Sequence, residues 1–83
     1  SQPFDHLTES YHLILANLRY PTLLKVAAWA RDHLVTGGRF LVSGYLAEEA
    51  QALETQFRGE GFILEATLVQ KRWAAGRFAL SVV

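Results

Sequence analysis

The sequence predicts an α/β fold in the order strand, helix, strand, helix, strand, strand. Three observations predict it. Short, nearly continuous apolar runs occur at Tyr11 to Leu18 and at Arg39 to Ser43, the pattern of parallel strands buried on both faces. Between and after them, apolar residues recur at three- and four-residue steps, as on one face of a helix. Pro21, Gly37-Gly38, Gly44, Gly59 and Gly61 fall at the joints.

Ser1 to Ser10 is polar and aperiodic and reads as a lead-in loop, with Phe4 and Leu7 pinned to the core. The first strand ends before Pro21, which cannot donate to a ladder but suits the first turn of a helix. From Pro21 to about Val35, the residues Leu23, Ala27, Ala30 and Leu34 form an apolar stripe that Leu24 and Trp29 widen. Arg31 and His33 suit the negative end of that helix, and Gly37-Gly38 supply left-handed residues to stop it. The second strand, Arg39 to Ser43, is closed by Gly44. Leu46, Ala50, Leu53 and Phe57 make the stripe of a second helix from Ala47 to about Gly59. Glu48 and Glu49 favour its first turn. Phe62 to Lys71 and Arg77 to Val83 read as an antiparallel pair joined by a loop around Ala74-Ala75-Gly76. Since crossovers between parallel strands are right-handed, both helices cover one face if the sheet grows in one direction. The other face is left bare, so residues 1–83 form a single partial domain.

At 83 residues, with 51% hydrophobic and 19% charged, the chain is rich in apolar side chains for so small a body, which buries only about 60 to 65% of its unfolded surface. Some of that apolar surface is expected to meet another molecule or segment. Eight basic residues balance eight acidic ones, which argues against a nucleic-acid or anionic-membrane partner. The absence of cysteine removes disulfides, thiolate metal sites and thiol nucleophiles. No apolar run reaches the roughly 20 residues that span a bilayer, and the expected location is the cytoplasm. With no methionine and an opening on Ser1-Gln2-Pro3, the stretch is expected to have been cut from something longer.

Asn17 is the first functional candidate, because it falls at the carboxyl end of the first strand, where open α/β sheets bind ligands. A simple helix cap is the competing reading, asparagine being a favoured cap. His6, His12 and His33 have no metal-ligand spacing, so no metal is expected. Ser43-Gly44 follows a strand but lacks the G-x-S-x-G elbow of a nucleophile. Glu48, Glu49, Glu54 and Glu60 read as a solvated helix face. Trp29 and Trp73 read as packing residues, with an exposed partner contact as the other reading for Trp73.

Particular residues, taken with the element order, resemble the C-terminal half of a class I S-adenosylmethionine-dependent methyltransferase of Rossmann-like fold, and within that class the ribosomal protein L11 methyltransferase family. Tyr11-His12-Leu13-Ile14-Leu15-Ala16-Asn17-Leu18 is similar to that family's "YDLVVANI" strand. Leu34 to Leu46, LVTGGRFLVSGYL, is similar to its "LKPGGRLVLSGIL". Gly59-Glu60-Gly61-Phe62 resembles the lead into its sixth strand, and Arg72-Trp73 through Leu80 its closing "EWVALVL". The resemblance implies that Asn17 lies beside the transferable methyl and the acceptor amine, that Leu18 lines that pocket, and that Ser43 and Gly44 stand at the next strand's carboxyl end. The implied cofactor is S-adenosylmethionine, whose sulfonium already activates the methyl, leaving the protein to align a neutral amine. The glycine-rich turn and ribose-binding acid that hold this cofactor in the family have no counterpart here, so the chain alone is expected neither to bind it nor to be active.

Two functions follow. The first is a fragment of a protein methyltransferase whose partner is its N-terminal half. The second is a non-catalytic module, derived from that fold, that dimerises or docks through the edge of the first strand and the bare sheet face.

Overall fold

The computed structural model describes residues 11–81. Phe4, Leu7 and His6, and the end of the last expected strand, lie outside the described residues. The elements are β1 (Tyr11–Asn17), α1 (Tyr20–His33), β2 (Leu34–Leu46), a 3-10 turn (Ala47–Glu49), α2 (Ala50–Gly59), β3 (Phe62–Gln70) and β4 (Trp73–Leu80). They form one sheet in the order β1-β2-β4-β3, with β1 and β2 parallel and the other two pairings antiparallel. This is a Rossmann-like α/β arrangement, with both helices on one face.

The core lies between that face and the helices. β1 sends Ile14 inward, β2 sends Phe40, Val42 and Tyr45, and β4 sends Ala74 and Phe78, all buried. Against them α1 presses Leu23, Ala27 and Ala30, and α2 presses Leu53 and Phe57. Phe57 is the hub, with ring centroids 5.6 Å from Phe40, 5.8 Å from Phe62 and 4.8 Å from Phe78. Burying each such ring contributes about 1.5 to 3 kcal/mol, which makes this cluster the main support of a small sheet. The helix ends are tied by an Arg31–Glu60 ion pair across α1 and α2, and Trp29 stacks on His33 at 4.5 Å.

On the opposite face no element of the described chain covers the sheet. Leu13, Leu15, Ile63 and Leu68 stand there 50 to 71% exposed, as the one-sided placement of the helices requires. β1 is also an edge strand. A bulge in β3 between Leu64 and Ala66 brings Glu65 to this face, where Arg39 and Arg77 both reach its Oε1, at 2.7 and 3.2 Å.

Three expectations need correction. The connection between the last two strands is at Lys71-Arg72, and Ala74-Ala75-Gly76 lies within β4. Lys71 makes the turn in the left-handed region (φ 60°), a conformation its side chain does not announce. Gly76 is small for a packing reason: a Cβ there would stand 2.9 Å from both the Tyr45 hydroxyl and the Phe78 ring. The first helix ends at His33, where Leu34 is already extended, and β2 runs on through the glycine pair. Only Gly37 of that pair is left-handed (φ 84°); at Gly38 a Cβ would come within 3.0 Å of the His12 carbonyl and 2.9 Å of Val35 O and of the Leu34 side chain, so there the need is close approach of the β1 backbone.

Candidate functional site

Parallel pairing brings the carboxyl ends of β1 and β2 to the same edge, with Asn17 directly opposite Ser43. The Leu18 N–H extends the ladder by donating to the Ser43 carbonyl at 3.0 Å, which fixes where the chain leaves β1. Beyond it α1 begins, capped by Arg19 in extended conformation with no side-chain hydrogen bond to its first turn. Asn17 is therefore not the cap of α1. Its Oδ1 instead accepts from the Ser43 hydroxyl at 3.2 Å.

Gly44 makes that arrangement possible. The pairing of β2 with β4 slips between Ser43 and Tyr45, leaving Gly44 at φ 94°. A Cβ there would lie 2.7 Å from Asn17 Oδ1 and 2.8 Å from the Leu18 carbonyl. Only glycine fits both the backbone and the space.

The structure thus brings all four sequence-predicted site residues, Asn17, Leu18, Ser43 and Gly44, to the lining of one open pocket of about 480 Å³. The β3–β4 hairpin supplies the opposite wall with Leu68, Gln70, Trp73 and Ala75. Arg19 crosses the mouth with its guanidinium carbon 5.2 Å from the Trp73 ring centroid. Trp73 is 45% exposed, so it is a pocket wall rather than a core residue. The exposed reading of Trp73 fits this place, whereas Leu68, Gln70 and Ala75 escape a sequence reading because the hairpin reaches the edge only through the strand order. The pocket shares Asn17, Ser43, Leu68 and Ala75 with a larger apolar groove of about 790 Å³ that runs down the bare sheet face past Leu15 and Leu41.

Among the described residues no carboxylate lines the pocket, and the charged residue in its wall is Arg19. Among the described residues no group of three or more His, Asp or Glu is placed to hold a metal ion. An amide oxygen fixed by a hydroxyl, in a mostly apolar recess, is suited to hold and orient an N–H donor rather than to supply a nucleophile or a strong base.

A family model described as "Ribosomal protein L11 methyltransferase (PrmA)" matches residues 2–79. The chain belongs to the ribosomal protein L11 methyltransferase family. It is 32% identical over 71 residues to the ribosomal protein L11 methyltransferase of Geobacillus thermodenitrificans, covering 86% of this chain and 23% of that protein. With the enzyme of the same name from Methylococcus capsulatus it shares 33% over 61 residues, covering 74% of this chain and 21% of that protein. The chain therefore spans less than a quarter of these ribosomal protein L11 methyltransferases.

Among solved structures, a ribosomal protein L11 methylase from Lactobacillus delbrueckii subsp. bulgaricus superposes on 94% of this chain with a TM-score of 0.87 at 19% identity, the chain covering 41% of that structure. A complex named M1.HpyAVI-SAM superposes at 0.75 with 12% identity, over 48% of its length. At these identities the likeness establishes the fold. It agrees with the family membership, and no helix of the described residues is long and apolar enough to cross a membrane.

Proposed function

We propose that this chain is the C-terminal part of an S-adenosylmethionine-dependent protein methyltransferase domain and forms the acceptor side of its active site. The observation that carries the reading is the Asn17 amide, turned away from the helix it precedes and held by Ser43 over Gly44 in a pocket at the carboxyl edge of the sheet. In this reading Asn17 Oδ1 accepts an N–H from the acceptor amine and so directs its lone pair. Ser43 keeps the amide from rotating, Leu18 excludes water, and Gly44 leaves the space in which the amide sits. The protein relatives' name supports a ribosomal protein amine as acceptor.

The cofactor is another matter. A SAM complex among the solved structures of the same fold supports S-adenosylmethionine. Yet the described residues bring no carboxylate to the pocket for ribose hydroxyls, and the space above Gly44 is already taken by the Asn17 amide. The described residues therefore fit the acceptor side and not a cofactor cradle, and we infer that the cradle comes from sequence beyond this chain. The uncovered face with Leu13, Leu15, Ile63 and Leu68 supports the same partial-domain reading.

The test uses the protein that carries this chain at its full natural length. Asn17→Ala is expected to lower methyl transfer to ribosomal protein L11 by about 100-fold through kcat, the scale of losing one alignment contact, while calorimetric binding of S-adenosylmethionine is unchanged. Micromolar binding of S-adenosylmethionine by the 83-residue chain alone would overturn the division of labour.

A further inference from the structure

A cluster of charges stands on the otherwise apolar bare face. Glu65, brought there by the bulge in β3, takes Arg39 Nε and Arg77 Nε on a single oxygen, at 2.7 and 3.2 Å. Two guanidiniums therefore share one carboxylate, and one cation is in excess. The two arginines are not equivalent. Arg39 Nη1 also donates to the Gly37 and Gly38 carbonyls, at 2.7 and 3.1 Å, which anchors it to its own strand. Arg77 has no partner but Glu65 among the described residues, so the terminal nitrogens of its guanidinium are free to donate.

Arg77 is also the charged residue in the wall of the larger groove, beside Leu15, Leu41 and Leu68. Covering that groove is favoured by the apolar surface it would take out of water. The same cover would strip water from the surplus cation, which is costly unless a second anion meets it. A planar guanidinium with free terminal nitrogens is matched by a carboxylate, which can accept from two of them at once.

We propose that a segment of the same protein, outside these 83 residues, covers this face with apolar side chains and sets one carboxylate against Arg77. Two arginines and two carboxylates then form a neutral cluster beneath the layer. The inference rests on the partial-domain reading above and states the chemistry of the segment that completes it. The same polypeptide is the occupant because the chain spans less than a quarter of its relatives, so a protein of their size has ample sequence for a further layer.

Two measurements on the full-length protein test this. In the first, phenylglyoxal modifies arginines and mass spectrometry reads the rate at each. Arg77 is expected to react about tenfold more slowly than Arg58, at any protein concentration, because it is exposed only when the layer opens. Arg58 is the reference because it too pairs with a carboxylate, Glu54, and its side chain is 69% exposed. In the second, urea midpoints are compared for Arg77→Met and for Arg77→Met with Glu65→Gln. Arg77→Met leaves a buried carboxylate without its cation and is expected to lower the midpoint by about 0.5 to 1 M. Adding Glu65→Gln leaves one arginine facing one carboxylate and should recover much of that loss. Without a second carboxylate the signs reverse: Arg77→Met removes the surplus cation and holds or raises the midpoint, and adding Glu65→Gln lowers it. That result, with Arg77 protected, overturns the proposal while the partial-domain reading stands. Arg77 as reactive as Arg58 shows an open face and overturns both. Protection that appears only at high protein concentration assigns the face to a second copy and overturns the proposal.

Discussion

Gly44 and Gly37 offer a paired experiment on what holds Asn17 in place. Both have positive φ, 94° and 84°. A Cβ on Gly37 would meet nothing within 4 Å, whereas one on Gly44 would come to 2.7 Å from Asn17 Oδ1, 2.8 Å from Leu18 O and 3.0 Å from Leu18 N. Gly37→Ala therefore measures the backbone cost alone, about 1 to 2 kcal/mol for a left-handed residue gaining a side chain. Gly44→Ala carries that same cost plus overpacking of about 1 to 3 kcal/mol, since two of the three crowded atoms are backbone of the strand exit and cannot swing aside. The gain from a stiffer unfolded chain is common to both and cancels in the difference. Urea unfolding of the full-length variants should thus show Gly44→Ala less stable than Gly37→Ala by about 1 to 3 kcal/mol. Because the Asn17 amide must move, methyl transfer should fall by about 100-fold in the Gly44 variant only. Equal stabilities, or a Gly44→Ala protein with normal turnover, would refute the claim that this glycine exists to seat the amide.

The remaining expectations concern stability. Phe57→Ala, which empties the centre of the Phe40, Phe62 and Phe78 cluster, should cost about 3 to 5 kcal/mol in urea unfolding. Burial holds the Tyr45 phenol above its ordinary value of 10.0. The unfolded chain then releases its proton first, so wild-type stability should be complete below that pH and fall as pH rises past it. Tyr45→Phe should flatten that decline between about pH 9 and 11, as followed by urea midpoints. Leu15→Asp, on the bare face where Leu15 is 71% exposed, should cost more than about 2 kcal/mol in the full-length protein if a further layer buries it there. A cost under about 0.5 kcal/mol would show that this face stays open.

Much of this molecule was legible in the sequence because its signals are local. The apolar run ending at Asn17 and the run ending at Ser43-Gly44 marked two parallel strands, and parallel pairing alone carries their ends to one edge. That is why all four predicted site residues meet in one pocket. The far wall was hidden because its position depends on β4 entering between β2 and β3, a non-local choice that no spacing encodes. Ala74-Ala75-Gly76 mimics a turn, since residues that are small for packing and residues that are small for conformation look alike in a sequence. Conversely, Lys71 adopts a left-handed turn with no glycine or asparagine to announce it. Asn17 as a helix cap was a fair alternative on propensity, and it fails because the chain takes two further residues to reach α1.

The strand order also governs how the chain matures as it is made. β2 pairs with β1, which is already synthesised, but β3 touches the sheet only through β4, the strand made after it. Until that strand arrives, the inner edge of β2 is open, β3 has no ladder to join, and the pocket lacks the wall built from Leu68, Gln70 and Trp73. A stop codon or proteolytic cut between β3 and β4 would therefore undo two strands and the acceptor wall together.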